Sequence, residues 1–147
     1  MKTNRQIDVV IDTDAFNEVD DQFAISYLLS HEESLHTVAL YAAPFFNGNS
    51  TSPADGMEKS YRELSHILTL AGREDLIPCS YRGSDAYLPV EKTPVPSDAA
   101  RDLAARAMNY SAQSPLTVLA IGAITNIASA LLLKPEIAER LHVIWLG

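Results

Sequence analysis

The chain has 147 residues, with 19 Asp and Glu against 11 Lys and Arg and a formal net charge of −8. So acidic a chain offers no electrostatic footprint to nucleic acid or to an anionic membrane surface, and a hydrophobic fraction of 47% excludes wholesale disorder. The single cysteine, Cys79, cannot form an internal disulfide, no Cys/His pair has zinc spacing, and no apolar run approaches a signal peptide or a membrane span. A soluble, cytoplasmic protein is expected.

In chain order, Ile7 to Ile11 reads as a buried strand, and an acidic stretch leads from it into a helix starting near Asp20. Helical spacing puts Phe23, Tyr27 and His31 on one face, with Ala24 and Leu28 beside them. Ile25 and Leu29 are apolar too, so burial on most sides is expected. Thr37 to Ala43 is a second strand, followed by a loop rich in Asn, Ser and Gly. Ser52-Pro53-Ala54-Asp55 is a helix start, with an N-cap serine, proline at the first helical position and a carboxylate at the third. That helix repeats at Met57, Tyr61, Leu64 and Leu68 and stops at Gly72. A short strand at Pro78 to Tyr81 and a loop marked by Pro89, Pro94 and Pro96 come next, and Ser97 is placed to cap a helix running to about Tyr110. Leu116 to Ile121 is a strand, Asn126 to Leu133 a helix, Pro135 to Leu141 a short helix, and His142 to Leu146 a last, apolar strand.

Strand and helix alternate throughout, which predicts an α/β fold: a three-layer, Rossmann-like, mostly parallel sheet with helices on both faces. So apolar a final strand is expected inside a sheet with more structure after it, and residues 1–147 read as the N-terminal portion of a single domain. Ligands bind such sheets beyond the carboxyl ends of the strands, so the residues after Ile11 and after Ala120 are the first candidates.

Both places are distinctive. Asp12, Asp14, Glu18, Asp20 and Asp21 put five carboxylates into ten residues, with almost no Lys or Arg nearby. Two unit charges 4 Å apart repel by about 1 kcal/mol in water and about 4 kcal/mol at an effective dielectric near 20. Partly buried carboxylates in such a group either rise in pKa or hold a cation, and oxygen-only donors favour calcium or magnesium. A plainer account makes Asp20 or Asp21 a helix cap and Glu18 a solvated side chain. After Ala120, the run Ile121-Gly122-Ala123-Ile124-Thr125-Asn126 turns from strand to helix, exposing main-chain carbonyls and a Thr/Asn pair at the same sheet edge. An ordinary N-cap by Thr125 or Asn126 is the plainer account there.

Taken together, these segments resemble the inosine-uridine preferring nucleoside hydrolase family. Its Asp-x-Asp…Asp-Asp motif is matched by Asp12, Asp14, Asp20 and Asp21, and its Gly-x-x-Thr-Asn-x-Ala segment by Gly122, Thr125, Asn126 and Ala128. Pro135-Glu136-Ile137 and the strand Val143 to Gly147 match later elements. The resemblance implies calcium-dependent hydrolysis of the N-glycosidic bond of a small-molecule ribonucleoside, with neither nucleic acid nor membrane as partner. It implies Asp14 and Asp21 as calcium ligands with the Thr125 main-chain carbonyl, Asp14 as general base, Asp20 and Asn47 on the ribose, and Asp12 as a supporting residue. Five residues separate Asp14 from the Asp pair, where the common family pattern has three. The family's remaining calcium-binding Asp, and a His near the leaving base, fall in a later portion that this chain lacks. Two alternatives stay open: a non-catalytic metal- or sugar-binding half-domain, and a phosphatase of the haloacid dehalogenase type, which would leave Asp20-Asp21 unexplained and meet bulky Phe16 where it needs Thr or Val. A homo-oligomer is also left open.

Overall fold

A computed structural model gives the arrangement of residues 6–147. Strand β1 (Ile7–Thr13) is flanked on one side by β2 (Leu35–Ala42) and β3 (Ser80–Tyr81), and on the other by β4 (Leu116–Ala120) and β5 (Leu141–Trp145). The order is β3-β2-β1-β4-β5 and every pairing is parallel. Val9 to Thr13 are all buried, as a central strand covered on both faces requires. Val9, Ile11, Leu40 and Ala42 point to one face, where they pack on α1 (Val19–Ser30) and α2 (Pro53–Leu70) through Ile25, Leu28, Leu64 and Leu68. Val10, Tyr41 and Val118 point to the other, against Leu103 of α3 (Asp98–Arg106) and Ile127 of α4 (Thr125–Leu133). Each large aliphatic side chain so buried contributes about 1.5–3 kcal/mol. The expected three-layer architecture is therefore observed. Among the described residues no helix is long and apolar enough to cross a membrane.

The chain leaves β1 toward β2 and β3 on one side, while β4 and β5 lie on the other. The carboxyl ends of β1 and β4 are thus the switch point of the sheet, where the connections part and leave a crevice. Capping follows the sequence signals. Ser52 Oγ accepts from the Asp55 amide at 3.1 Å, and Asp55 Oδ2 accepts from the Thr51 amide at 2.9 Å. Ser97 Oγ accepts from the Ala100 amide at 3.1 Å, and Gly72 closes α2 with φ of 66°.

Several local expectations change. Helix α1 does not bury Phe23 and Tyr27, which are 71% and 61% exposed; its inward row is Asp21, Ile25 and Leu28. With apolar residues on every side, periodicity had no power to choose the face. The segment before β3 is a 3-10 turn, Glu74–Cys79, leaving a two-residue strand, and Pro135–Arg140 is likewise 3-10. Helix α3 ends at Arg106 and gives way to a 3-10 turn at Ala107–Asn109. Among the described residues β5 is the outermost strand on the β4 side, with Ile144 and Trp145 about half exposed. Arg73 and Arg82, isolated in sequence, are both paired: Arg73 with Glu32 and Asp75, and Arg82 through two hydrogen bonds with Glu58 while covering the ring of Tyr61.

The loop after β2 is seated on the first turn of α2 through Gly56. A Cβ there would lie 2.1 Å from the Phe45 carbonyl oxygen. Gly56→Ala gains about 1 kcal/mol of helix propensity, but backbone meets backbone and neither side can swing away, so overpacking of about 1–3 kcal/mol or more prevails. Urea unfolding of Gly56→Ala is expected to show a lower midpoint than the wild type. A higher one would mean the loop yields freely.

Candidate functional site at the carboxyl ends of β1 and β4

β1 delivers Asp12 and Thr13, both buried, to the switch point, and Asp14 follows immediately. Asp12 Oδ1 accepts from Asn126 Nδ2 at 2.7 Å, whereas Asp12 Oδ2 is buried with no partner among the described residues. Thr13 Oγ1 donates to Asp21 Oδ2 at 2.5 Å. This bond explains the rotation of α1: Asp21 is drawn inward against β1, and Ile25 and Leu28 follow it at helical spacing. Asp20, one residue earlier, is exposed. Neither residue caps the helix, since the N-cap position is Glu18, which makes no capping bond.

Three carboxyls are held away from their ordinary acidity. Burial pushes Asp12 up to about 7 against the opposing Asn126 hydrogen bond, with the charges of Asp14 and Asp21 adding to the rise. Burial likewise lifts Asp21 to about 7, opposed by the Thr13 hydroxyl and reinforced by Asp14 and Asp20. Asp14 is raised by the same burial and by the charge of Asp20, against hydrogen bonds with Asp21 and Asn17. The group holds more negative charge than it can keep ionised unaided.

Asn126 is the hinge of the arrangement. Besides Asp12, its Nδ2 donates to the Ala42 carbonyl at 3.1 Å. Its Oδ1 accepts from the Ser84 amide at 2.7 Å, the Ser84 hydroxyl at 2.9 Å and the Ser97 hydroxyl at 3.3 Å. One fully buried amide thereby ties together β1, β2, the segment after β3, and the starts of α3 and α4. The helix cap expected of Thr125 or Asn126 is not made; Ile124 holds that position without a side-chain bond. Thr125 opens α4, buried, three residues beyond Gly122. Gly122 itself abuts the acidic group: a Cβ there would stand 3.1 Å from Asp14 Oδ1.

Beyond the carboxylates lies an open cleft of about 340 Å³ whose walls include Asp14, Asn17, Phe46, Asn47, Tyr87 and Trp145. Phe46 and Tyr87 are exposed to it, and Phe45, otherwise buried, also reaches its wall. Asn17 Nδ2 donates to Asp14 Oδ2 at 3.0 Å, and Asn17 Oδ1 accepts from Asn47 Nδ2. Of the residues singled out in sequence, Asp12, Asp14 and Asp21 are brought together at the strand ends, Asn47 joins Asp14 through Asn17, and Asp20 acts on the group by charge from the exposed side of α1. Asn17, Thr13 and the linking role of Asn126 were missed. Only the bipolar amides of Asn17 and Asn126, each able to give and accept, hinted at them.

The donor set suits a hard cation in part. Asp14 and Asp21 offer oxygens in an environment short of positive charge, and the unpartnered Asp12 Oδ2 shows the deficit extending into the interior. Among the described residues, no three His, Cys, Asp or Glu side chains are arranged to hold an ion by themselves. Calcium takes six to eight oxygens, so main-chain carbonyls and water must complete its shell.

Comparison with known proteins points one way. The family model for inosine-uridine preferring nucleoside hydrolase matches residues 9–147. Among solved structures, the plant nucleoside hydrolase PpNRh1 superposes with a TM-score of 0.70 at 25% identity, over 95% of this chain and 47% of that one. A purine-preferring ribonucleoside hydrolase from Gardnerella vaginalis superposes at 0.68 with 21% identity, over 95% and 48%, and supports the fold alone. The chain thus spans about half the length of these structures. Comparison with curated proteins gave no match.

Proposed function

The chain belongs to the inosine-uridine preferring nucleoside hydrolase family, and from that premise we propose that it carries the metal- and ribose-binding part of a calcium-dependent ribonucleoside N-ribohydrolase. What carries the reading is the convergence of Asp12, Asp14 and Asp21 at the switch point of the sheet, raised in pKa, beside an open cleft. Asp14 and Asp21, with the Thr125 main-chain carbonyl, would hold calcium. A bound divalent cation supplies the positive charge the carboxylates lack and makes nearby water more acidic.

Asp14 serves as general base, its carboxyl lying on the wall of the cleft within reach of water there. It takes a proton from water in the cleft as the water oxygen bonds to the anomeric carbon. The N-glycosidic bond breaks, its electron pair leaves with the base, and Asp14, Asp20 and Asp21 stabilise the positive charge that develops on the ribose. Asp20 and Asn47 bind ribose hydroxyls, and Asp12 braces the strand end through Asn126. A free ribonucleoside in the cytoplasm is the substrate setting that goes with this reading.

Release of ribose from inosine and uridine by the purified chain, with calcium supplied or removed by EGTA, tests the proposal. Asp14→Asn is expected to slow release by about 10²–10⁴-fold. Calcium binding without release of free base would leave a binding half-domain, and neither binding nor release would sink the reading.

A further inference from the structure

Within the five-residue segment between Asp14 and Asp20, one side chain, that of Asn17, touches both Asp14 and Asn47. We propose that Asn17 is a positioning residue that fixes the orientation of the Asp14 carboxylate and locks it in register with Asn47; the inference rests on the hydrolase reading for its consequence, though not for its geometry.

Asn17 is engaged through four groups. Its main-chain N–H donates to the Asp14 carbonyl at 2.7 Å, closing the turn, and its main-chain carbonyl accepts from Asn49 Nδ2 at 3.1 Å. The side chain faces Asp14 and Asn47 at once: Nδ2 donates to Asp14 Oδ2 at 3.0 Å, and Oδ1 accepts from Asn47 Nδ2. Asn47 is held in turn, since its Oδ1 accepts from the Asn49 amide at 2.9 Å. All three of Asp14, Asn17 and Asn47 line the cleft.

The chemistry of the bridge is selective. A carboxylate free to rotate presents its two oxygens interchangeably, but one tied at Oδ2 presents Oδ1 toward the Gly122 side, where the absence of a Cβ leaves it room. A neutral amide can hold Asp14 without quenching it, which a Lys or Arg would do by pairing with its charge. An amide can donate to Asp14 with one end and accept from Asn47 with the other while staying uncharged. Outer partners that orient a reacting or metal-holding carboxylate typically change affinity or activity by about 10- to 100-fold when removed.

The alternative is that Asn17 merely staples two loops, and three variants of the full chain separate the two. Asn17→Asp keeps the shape, the acceptor for Asn47 and both main-chain bonds, but turns an acceptor oxygen toward Asp14. Asn17→Ala removes both side-chain bonds. Asn49→Ala removes the Asn49 side-chain bond to the Asn17 carbonyl and leaves Asp14 untouched. Expected are a fall of about 10- to 100-fold in calcium affinity, read by calorimetry, for Asn17→Ala, a matching fall in kcat for both Asn17 variants, with KM little changed for Asn17→Asp, which keeps the Asn47 bond, and wild-type kcat for Asn49→Ala. In the isotope-labelled chain without calcium, the Asn17 side-chain amide signals should shift on Asp14→Ala. Asn17→Asp at wild-type kcat, losses that merely track melting temperature, or amide signals indifferent to Asp14 would each overturn the proposal. A wild type that binds calcium but hydrolyses no nucleoside would instead leave a binding half-domain, with the calorimetry and the amide shift to decide this proposal.

Discussion

Asn126→Ala is expected to destabilise the fold by about 3–5 kcal/mol, because it strips a buried carboxylate of its one hydrogen bond and orphans several neighbours together. Asp12 would keep neither oxygen partnered, since Oδ2 already lacks one among the described residues. The Ala42 carbonyl, the Ser84 amide and the Ser84 and Ser97 hydroxyls would lose a partner in the same step. At roughly 2–4 °C per kcal/mol for a chain of this size, the melting temperature should drop by about 10 °C. Asn126→Asp sharpens the test. It preserves the acceptor for both serines but sets an oxygen against Asp12, so its deficit should shrink on acidification as the facing carboxyls come to share a proton. An unchanged melting temperature for Asn126→Ala would mean that the five segments are held by packing alone.

Asp21→Asn should have the opposite effect on the metal-free protein: greater stability at neutral and alkaline pH, with loss of the response to calcium. Asp12 and Asp21 titrate at about 7 in the folded chain, against about 3.9 unfolded. Between those values the folded state binds more protons than the unfolded one, so stability falls as pH rises. The favourable contribution is complete below about pH 4 and is lost as pH passes through 7. Carboxyls whose pKa is lowered by their partners, Asp8 by His36 and Tyr110, Glu58 by Arg82, follow the opposite sign, but their change is over in the acid range. The wild type without calcium should therefore melt at lower temperature at pH 8 than at about pH 5.5, and the difference should shrink in Asp21→Asn. That variant keeps an oxygen to accept from Thr13 while removing one charge. Calcium at one hundred times its Kd would add about 2.7 kcal/mol to the wild type and little to the variant. A metal-free wild type that gains stability on passing from acid to neutral pH relative to Asp21→Asn, or a variant that calcium stabilises equally, would rule out a cation-deficient site.

The acidic group was legible because charge in such density is unusual wherever it falls, and its place at a strand end was legible because the β-branched run stops at Asp12. The partners were not. Asn17 looks like any loop asparagine until the turn after β1 is built, and Asn47 like any turn residue until it meets Asn17 across thirty positions of sequence. The face of α1 was misjudged for a related reason: apolar content chose no side, and one hydroxyl–carboxylate contact between Thr13 and Asp21 did.

Sequence by itself determined the alternation of strands and helices, the helix starts at Ser52 and Ser97, the stop at Gly72, and the presence of excess negative charge after β1. All of these are written in residues close together along the chain, where side-chain size, capping groups and charge act locally. Tertiary structure alone decided which carboxylates are buried, that Asn126 gathers five segments, that β1 and β4 part at the switch point of the sheet, and that the cleft opens between the loops after β1, β2 and β4. Those outcomes depend on groups as much as 114 positions apart meeting in a low-dielectric interior, where a hydrogen bond made or missed outweighs any preference a short stretch of chain can express.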